Sequence, residues 1–238
     1  IDGFWGNCKK NNKKNKRSRC SAIITKGTNS ILIDTSADLR YQLLSNKIKN
    51  ISSVILTHEH ADQTNGLFEL RPFFWKHKKR INIYSDAHTM RQISNRHDYL
   101  FKKVGSYPPI VKSNIIKTKF SLGESDEKIS FKSIKVRHGK TNSLAYIFER
   151  TAYISDTNDL SITKMDELKN LKYLIIDCLK FKKHTSHFNL EESLFVHQNL
   201  KPKKTILTNL HHDLDYNYLL KKLPRDVVPA YDGLKITL

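Results

Sequence analysis

Short runs of β-branched and apolar residues recur along the chain, separated by polar stretches. SAIIT (21–25), SILID (30–34), SVILT (53–57), INIYS (81–85), KISFKSIKV (128–136), SLAYIF (143–148), TAYIS (151–155), YLIID (173–177) and KTILTNL (204–210) read as strands. ISSVIL, ahead of residue 57, is a β-branched, apolar stretch that reads as a strand covered on both faces. Between these runs, DLRYQLLS near 38, DAHTMRQISNRHDYLF near 86, NLEESLFVHQNL near 189 and YNYLLKKL near 216 read as helices, and Pro202 and Pro224 mark loops. No repeat, low-complexity linker or composition break interrupts residues 1–238. Many strands with few helices between them predict one α/β domain built from two packed sheets with helices on their outer faces.

Polar residues gather where the strands end, which is where α/β proteins place chemistry. THEHADQTNG (57–66) follows ISSVIL and brings His58, His60 and Asp62 within five residues. His138 follows KSIKV, Asp156 follows TAYIS, His184 and His187 follow YLIIDCL, and His211 and His212 follow KTILTNL. Imidazole and carboxylate are the ligands favoured by zinc, manganese and iron, so several such strand ends together predict a metal site, with room for two ions. His77, His88, His97 and His197 fall outside this pattern and read as ordinary surface or core residues.

Composition narrows the class. At 38% hydrophobic and 27% charged, the 238 residues form an ordinary globular chain, long enough for a proper core. No apolar run approaches the roughly 20 residues that span a membrane, and the start has no apolar signal-like stretch. Three cysteines, Cys8, Cys20 and Cys178, give no disulfide framework and point to a reducing, cytoplasmic compartment. Net charge is +19, which attracts phosphates, nucleic acid or anionic surfaces, and KKNNKKNKRSR (9–19) is its densest block.

The motifs together resemble the metallo-β-lactamase superfamily, whose signature is H-x-H-x-D-H followed by a histidine, a bridging aspartate and a last histidine. THEHADQ, VRHGKTNSLAY, YISD and LTNLHHDLDY supply these elements in order. THEHADQTNGLFELR, YPPIV, HTSHFNLEESL and PAYDGLKI further resemble the branch that contains phosphoribosyl 1,2-cyclic phosphate phosphodiesterase, related to tRNA 3′-end-processing nucleases. The resemblance implies an αββα sandwich of two mixed sheets. In that branch a glycine-rich first strand precedes a segment like IDGFWGNC, and because the chain opens on Ile1 that strand is expected to be missing.

The resemblance also implies roles. His58, His60 and His138 hold a first divalent ion, zinc or manganese, and Asp156 bridges to a second. Asp62 and either His211 or His212 hold the second ion. Gln63 stands where the family usually has a further histidine for that ion, so the second ion is expected to bind weakly or to prefer oxygen ligands. Asp34 and Asp232 are candidates to orient ligand imidazoles, or are simply a turn cap and a surface acid. The implied activity is hydrolysis of a small anionic phosphodiester, with RNA as another possible substrate. Asp62 would handle the water's proton, and His187, with His184 as second choice, would protonate the leaving oxygen or cap the helix near Asn189. Two alternatives accompany this reading: a thioester or other carbonyl hydrolase of the same fold, and a metal-poor relative that binds nucleic acid. A homodimer is also compatible with the sequence.

Overall fold

The computed structural model describes residues 3–238; Ile1 and Asp2, on which the expectation of a missing start partly rests, lie outside them. The chain divides into two compact units, one formed by residues up to Ser18 with Ser133–Leu238, the other by Arg19–Lys132.

The Arg19–Lys132 unit carries a five-stranded sheet in the order β1-β2-β3-β4-β5, where β1 is Ala22–Lys26, β2 Asn29–Ile33, β3 Ser53–Ile55, β4 Ile81–Ser85 and β5 Val111–Ile115. β1 and β2 form an antiparallel hairpin, and the other neighbours run parallel. β3 lies in the middle and is buried throughout, as expected of a strand covered on both faces. Helices α1 (Leu39–Ser45), α2 (Ala61–Thr64), α3 (Arg71–His77), α4 (Ala87–Arg96) and α5 (Asp98–Phe101) complete this unit. Its core joins Val54, Leu56, Leu67, Leu70, Ile83 and Ile93.

A second, seven-stranded sheet has the order β12-β11-β10-β9-β8-β7-β6. Here β6 is Lys119–Leu122, β7 Ile129–His138, β8 Thr141–Phe148, β9 Thr151–Ile154, β10 Tyr173–Asp177, β11 Lys204–Thr208 and β12 Val227–Pro229. β9 to β12 run parallel, whereas β8 pairs with β9 and β6 with β7 antiparallel, so this sheet is mixed too. The boundary between the units falls inside β7. α6 (Ile162–Asp166), α7 (Leu190–Leu200) and α8 (Tyr216–Lys222) accompany this sheet, and its core includes Ile154, Leu174, Ile176, Val196 and Leu207. Two mixed sheets with helices match the predicted fold class.

Three helices start where their capping chemistry dictates. Asp86 and Asp215 accept from the Thr89 and Tyr218 amides, and Asn189 with Glu192 forms a reciprocal capping box. Asn189 therefore caps α7, and neither His184 nor His187 is spent on it. Among the described residues no helix is long and apolar enough to cross a membrane.

One glycine holds the polar loop after β3 in place. Gly66 donates to the Thr35 carbonyl at 2.9 Å, and a Cβ there would lie 2.1 Å from the Ser36 oxygen and 2.8 Å from Leu39 Cβ. Gly66→Ala is expected to lower stability by about 1–3 kcal/mol, read as an earlier chemical-denaturation midpoint.

Candidate active site

In the Arg19–Lys132 unit the site begins with a carboxylate at the end of β2. Asp34 is fully buried and held in the left-handed region at φ 61°. It accepts from the Thr57 amide at 2.7 Å and from the Thr57 hydroxyl at 2.8 Å. Because that hydroxyl proton goes to Asp34, the Thr57 oxygen can only accept from His58 Nδ1, 3.0 Å away. The relay leaves His58 Nε2 as the nitrogen available to a ligand. His60, exposed at the start of α2, sets its ring edge-on to His58 with centroids 4.5 Å apart. Arg96 of α4 donates to the Glu59 carbonyl at 2.9 Å and steadies the loop between the two histidines.

Asp62 and Gln63 follow in α2. The buried Gln63 amide faces Asp34 Oδ2 and the Cys20 carbonyl, each 3.2 Å away. Both are acceptors, so the amide nitrogen is the atom that faces them. The Gln63 oxygen then turns to the side of Asp62 Oδ2, 3.4 Å away.

In the other unit three strand ends converge. His138 closes β7 and donates from Nδ1 to the Ser186 carbonyl at 2.6 Å, which again leaves Nε2 for a ligand. Gly139 makes room for this contact: a Cβ on it would lie 2.9 Å from Ser186 Cβ. Asp156 follows β9, and Asp177 ends β10 with no exposed surface. Asp177 Oδ2 accepts from the Thr157 amide at 3.0 Å and from His187 Nδ1 at 2.8 Å. Asp177 Oδ1 has no hydrogen-bond partner among the described residues. Burial pushes the Asp177 carboxyl up to about 7, against the opposing pull of His187. One potential ligand atom from each of His138, Asp156 and His187 lies within 4.8 Å of the others.

His184 stands beside this group, its ring 5.3 Å from that of His187. Its Nδ1 accepts from the Ser186 amide at 3.3 Å, and its pKa is lowered by burial and then by the neighbouring charges of His187 and Lys180.

The structure places His211 and His212 outside that group. His211 uses Nδ1 toward Asp213, 3.3 Å away, and Nε2 toward His212 Nδ1, 2.9 Å away. Phe4 lies edge-on to His212, and a Cβ on Gly6 would come within 2.1 Å of the His212 ring. The Asn7 and Cys8 amides both donate to the His212 carbonyl. The residue that reaches Asp156 is instead Asn209, whose amide nitrogen donates to Asp156 Oδ1 and to the Ser155 carbonyl, both at 3.2 Å. Sequence order alone could not distinguish these neighbours, because the outcome depends on the left-handed backbone at Asn209.

Asp232 also differs from its expected role. It accepts from the Ser18 amide at 2.9 Å, and no hydrogen bond between it and a histidine is seen among the described residues. Asp34 does support an imidazole, through Thr57 rather than directly. The basic run has a structural task as well. Arg17 donates to the His211 and Leu214 carbonyls, buried Asn15 bonds Asp215, and Lys14 sits over the Tyr216 and Tyr231 rings.

Asp177, Asn209, Thr57 and Ser186 are contributors that pattern reading missed. Asp177 had a visible signal: YLIID ends in an acid directly after an apolar run, as SILID does at Asp34. Ser186 acts through its backbone carbonyl, which no side-chain pattern reveals.

Comparison with known proteins places the chain in a family and a fold. The chain is 30% identical over 233 residues to a Porphyromonas gingivalis protein named octanoyltransferase, covering 96% of this chain but 46% of that protein, so it spans about half of that relative's length. The crystal structure of a diphosphatase from the PhnP family superposes with a TM-score of 0.87 at 28% identity, over 96% of this chain and 87% of that one. Human tRNase Z, short form, shares the fold at a TM-score of 0.70 and 15% identity, over 98% of this chain and 97% of that one. A family model described as beta-lactamase superfamily domain matches residues 29–211, and the chain accordingly belongs to that superfamily, as a hydrolase of the metallo-β-lactamase fold.

Proposed function

We propose that the protein is a metal-dependent phosphodiesterase acting on a small anionic phosphodiester, with His58, His60 and His138 holding a zinc or manganese ion beside Asp156. The donor set fits such an ion. His58 and His138 each have Nδ1 committed to an oxygen, the state in which an imidazole presents Nε2 to a metal. When bound, the ion supplies Lewis-acid polarisation of a phosphoryl oxygen and makes a nearby water more acidic.

The observation that carries the proposal is the His187–Asp177 pair beside Asp156 and His138. A buried carboxylate on Nδ1 fixes the ring and directs Nε2 as the proton-carrying atom. In a phosphodiester reaction His187 Nε2 gives its proton to the departing oxygen, and Asp177 stabilises the positive imidazolium that precedes transfer. Asp62 receives the proton of the attacking water. His184 serves less well, since its Nδ1 is turned onto Ser186 and its pKa is lowered. A net charge of +19 draws anionic substrates, RNA ends included, toward the protein. The three free cysteines fit a cytoplasmic setting.

Similarity to a protein named octanoyltransferase favours a second reading, hydrolysis of an acyl thioester by the same groups. Assaying bis-p-nitrophenyl phosphate against a chromogenic thioester and a β-lactam decides between them. Phosphodiester turnover is expected, and turnover of the carbonyl substrates alone would overturn the proposal.

Two further outcomes follow from His187 and Asp177. His187→Ala should lower kcat by roughly 100-fold or more while leaving the bound metal content unchanged. Loss of metal in that variant would make His187 a ligand instead. The second outcome concerns pH. A carboxyl whose folded pKa is raised from 3.8 to about 7 binds its proton more tightly in the native state. Its stabilising effect is therefore present in full at acid pH and is lost as pH rises toward about 7. Metal-stripped protein should lose stability across that interval by on the order of 1 kcal/mol per pH unit, and Asp177→Asn should flatten that part of a melting-temperature profile.

A further inference from the structure

The family pattern calls for two ions, and the residues of this chain fit only the first. For the second ion that pattern expects one histidine directly after Asp62 and another on the loop after β11. Carboxamides occupy both places.

The nitrogen of Gln63 is directed at Asp34 Oδ2 and the Cys20 carbonyl. The other end of that amide is a neutral oxygen, a far weaker zinc ligand than the imidazole nitrogen it stands in for. The nitrogen of Asn209 is directed at Asp156 Oδ1 and the Ser155 carbonyl. That contact places an N–H donor on one oxygen of the carboxylate to which the family pattern assigns the bridging role. A hydrogen-bond donor partly neutralises a carboxylate without any cation, so Asp156 has its charge compensated from within the protein.

Neither histidine of that loop bonds Asp156 among the described residues. His211 has both ring nitrogens engaged, and His212 is packed against Phe4 and Gly6 with its carbonyl held by two backbone amides. Backbone geometry also favours asparagine at 209, because φ is 62° there and asparagine tolerates the left-handed region better than histidine does.

We propose that this chain holds one divalent ion rather than two, and that the Asn209 amide takes the second cation's place on Asp156. The inference rests on the proposed hydrolase site for the first ion, but its test needs no turnover.

Metal-stripped full chain is titrated with Zn²⁺ alone and counted by native mass spectrometry. One ion per chain is expected to survive a competing chelator, with any second ion at least about 100-fold weaker. Co²⁺ substitution at two equivalents should show no exchange coupling between ions by EPR. In a Gln63→His/Asn209→His double variant the second ion should tighten and coupling should appear. Two ions of comparable affinity in the unaltered chain would overturn the inference while leaving the hydrolase proposal standing. No retained ion at all would bring down both. Because the decisive count is made on the unaltered chain, a double variant that fails to fold leaves the test intact.

Discussion

Everything at the candidate site depends on two carboxylates that have no access to water. Asp34 and Asp177 each end a parallel strand, in the matching sequences SILID and YLIID, and neither has exposed surface. Burying an ionised carboxylate is costly unless it is hydrogen-bonded. Each therefore collects the backbone amide of a threonine that follows a neighbouring strand, Thr57 for Asp34 and Thr157 for Asp177. Each also sets one imidazole, His58 through the Thr57 hydroxyl and His187 directly. The two units thus solve one problem in the same way. A strand-end acid is stabilised by the loop after the adjacent strand and in turn orients one histidine, from that same loop at His58 and from the loop after its own strand at His187.

That arrangement explains what the sequence could and could not reveal. Strands at 81–85 and 173–177 appear as the apolar runs predict, since their buried apolar positions fall on Ile81, Ile83, Leu174 and Ile176. β5, with the burial of only one residue complete in VKSNI, and the short β6 and β12 carry too few apolar positions to stand out. The candidate ligands stood out because H-x-H-x-D is rare and rigidly spaced. The partner of Asp156 did not. Asn209, His211 and His212 lie within four residues, and only the backbone turn at Asn209 decides which one faces the sheet. Gln63 could be recognised as a departure, whereas the direction of its amide depends on Asp34 and Cys20, remote in sequence.

Charge was the least specific signal. The block at 9–19 looked like a surface for polyanions, but several of its members brace the loop 211–216 through carbonyls, a carboxylate and two aromatic rings. A cation used in this way is partly withdrawn from ligand binding, so net charge overstates what remains for a substrate. The lysines that remain exposed give long-range attraction, and selectivity has to come from the groups around Asp156 and His187.

The brace has a consequence for how the chain reaches its native state. Lys9 and Asn15 bond Asp215 across 206 and 200 residues of sequence. During synthesis, residues 9–15 must wait without this partner until Asp215 has been made. Contacts of such long range close last and slowly, because the loop-closure entropy must be met before they contribute. Residues 9–17 and the loop 211–216 therefore act as a clasp, and the loop that carries His211 and His212 gains its final order only when the clasp shuts.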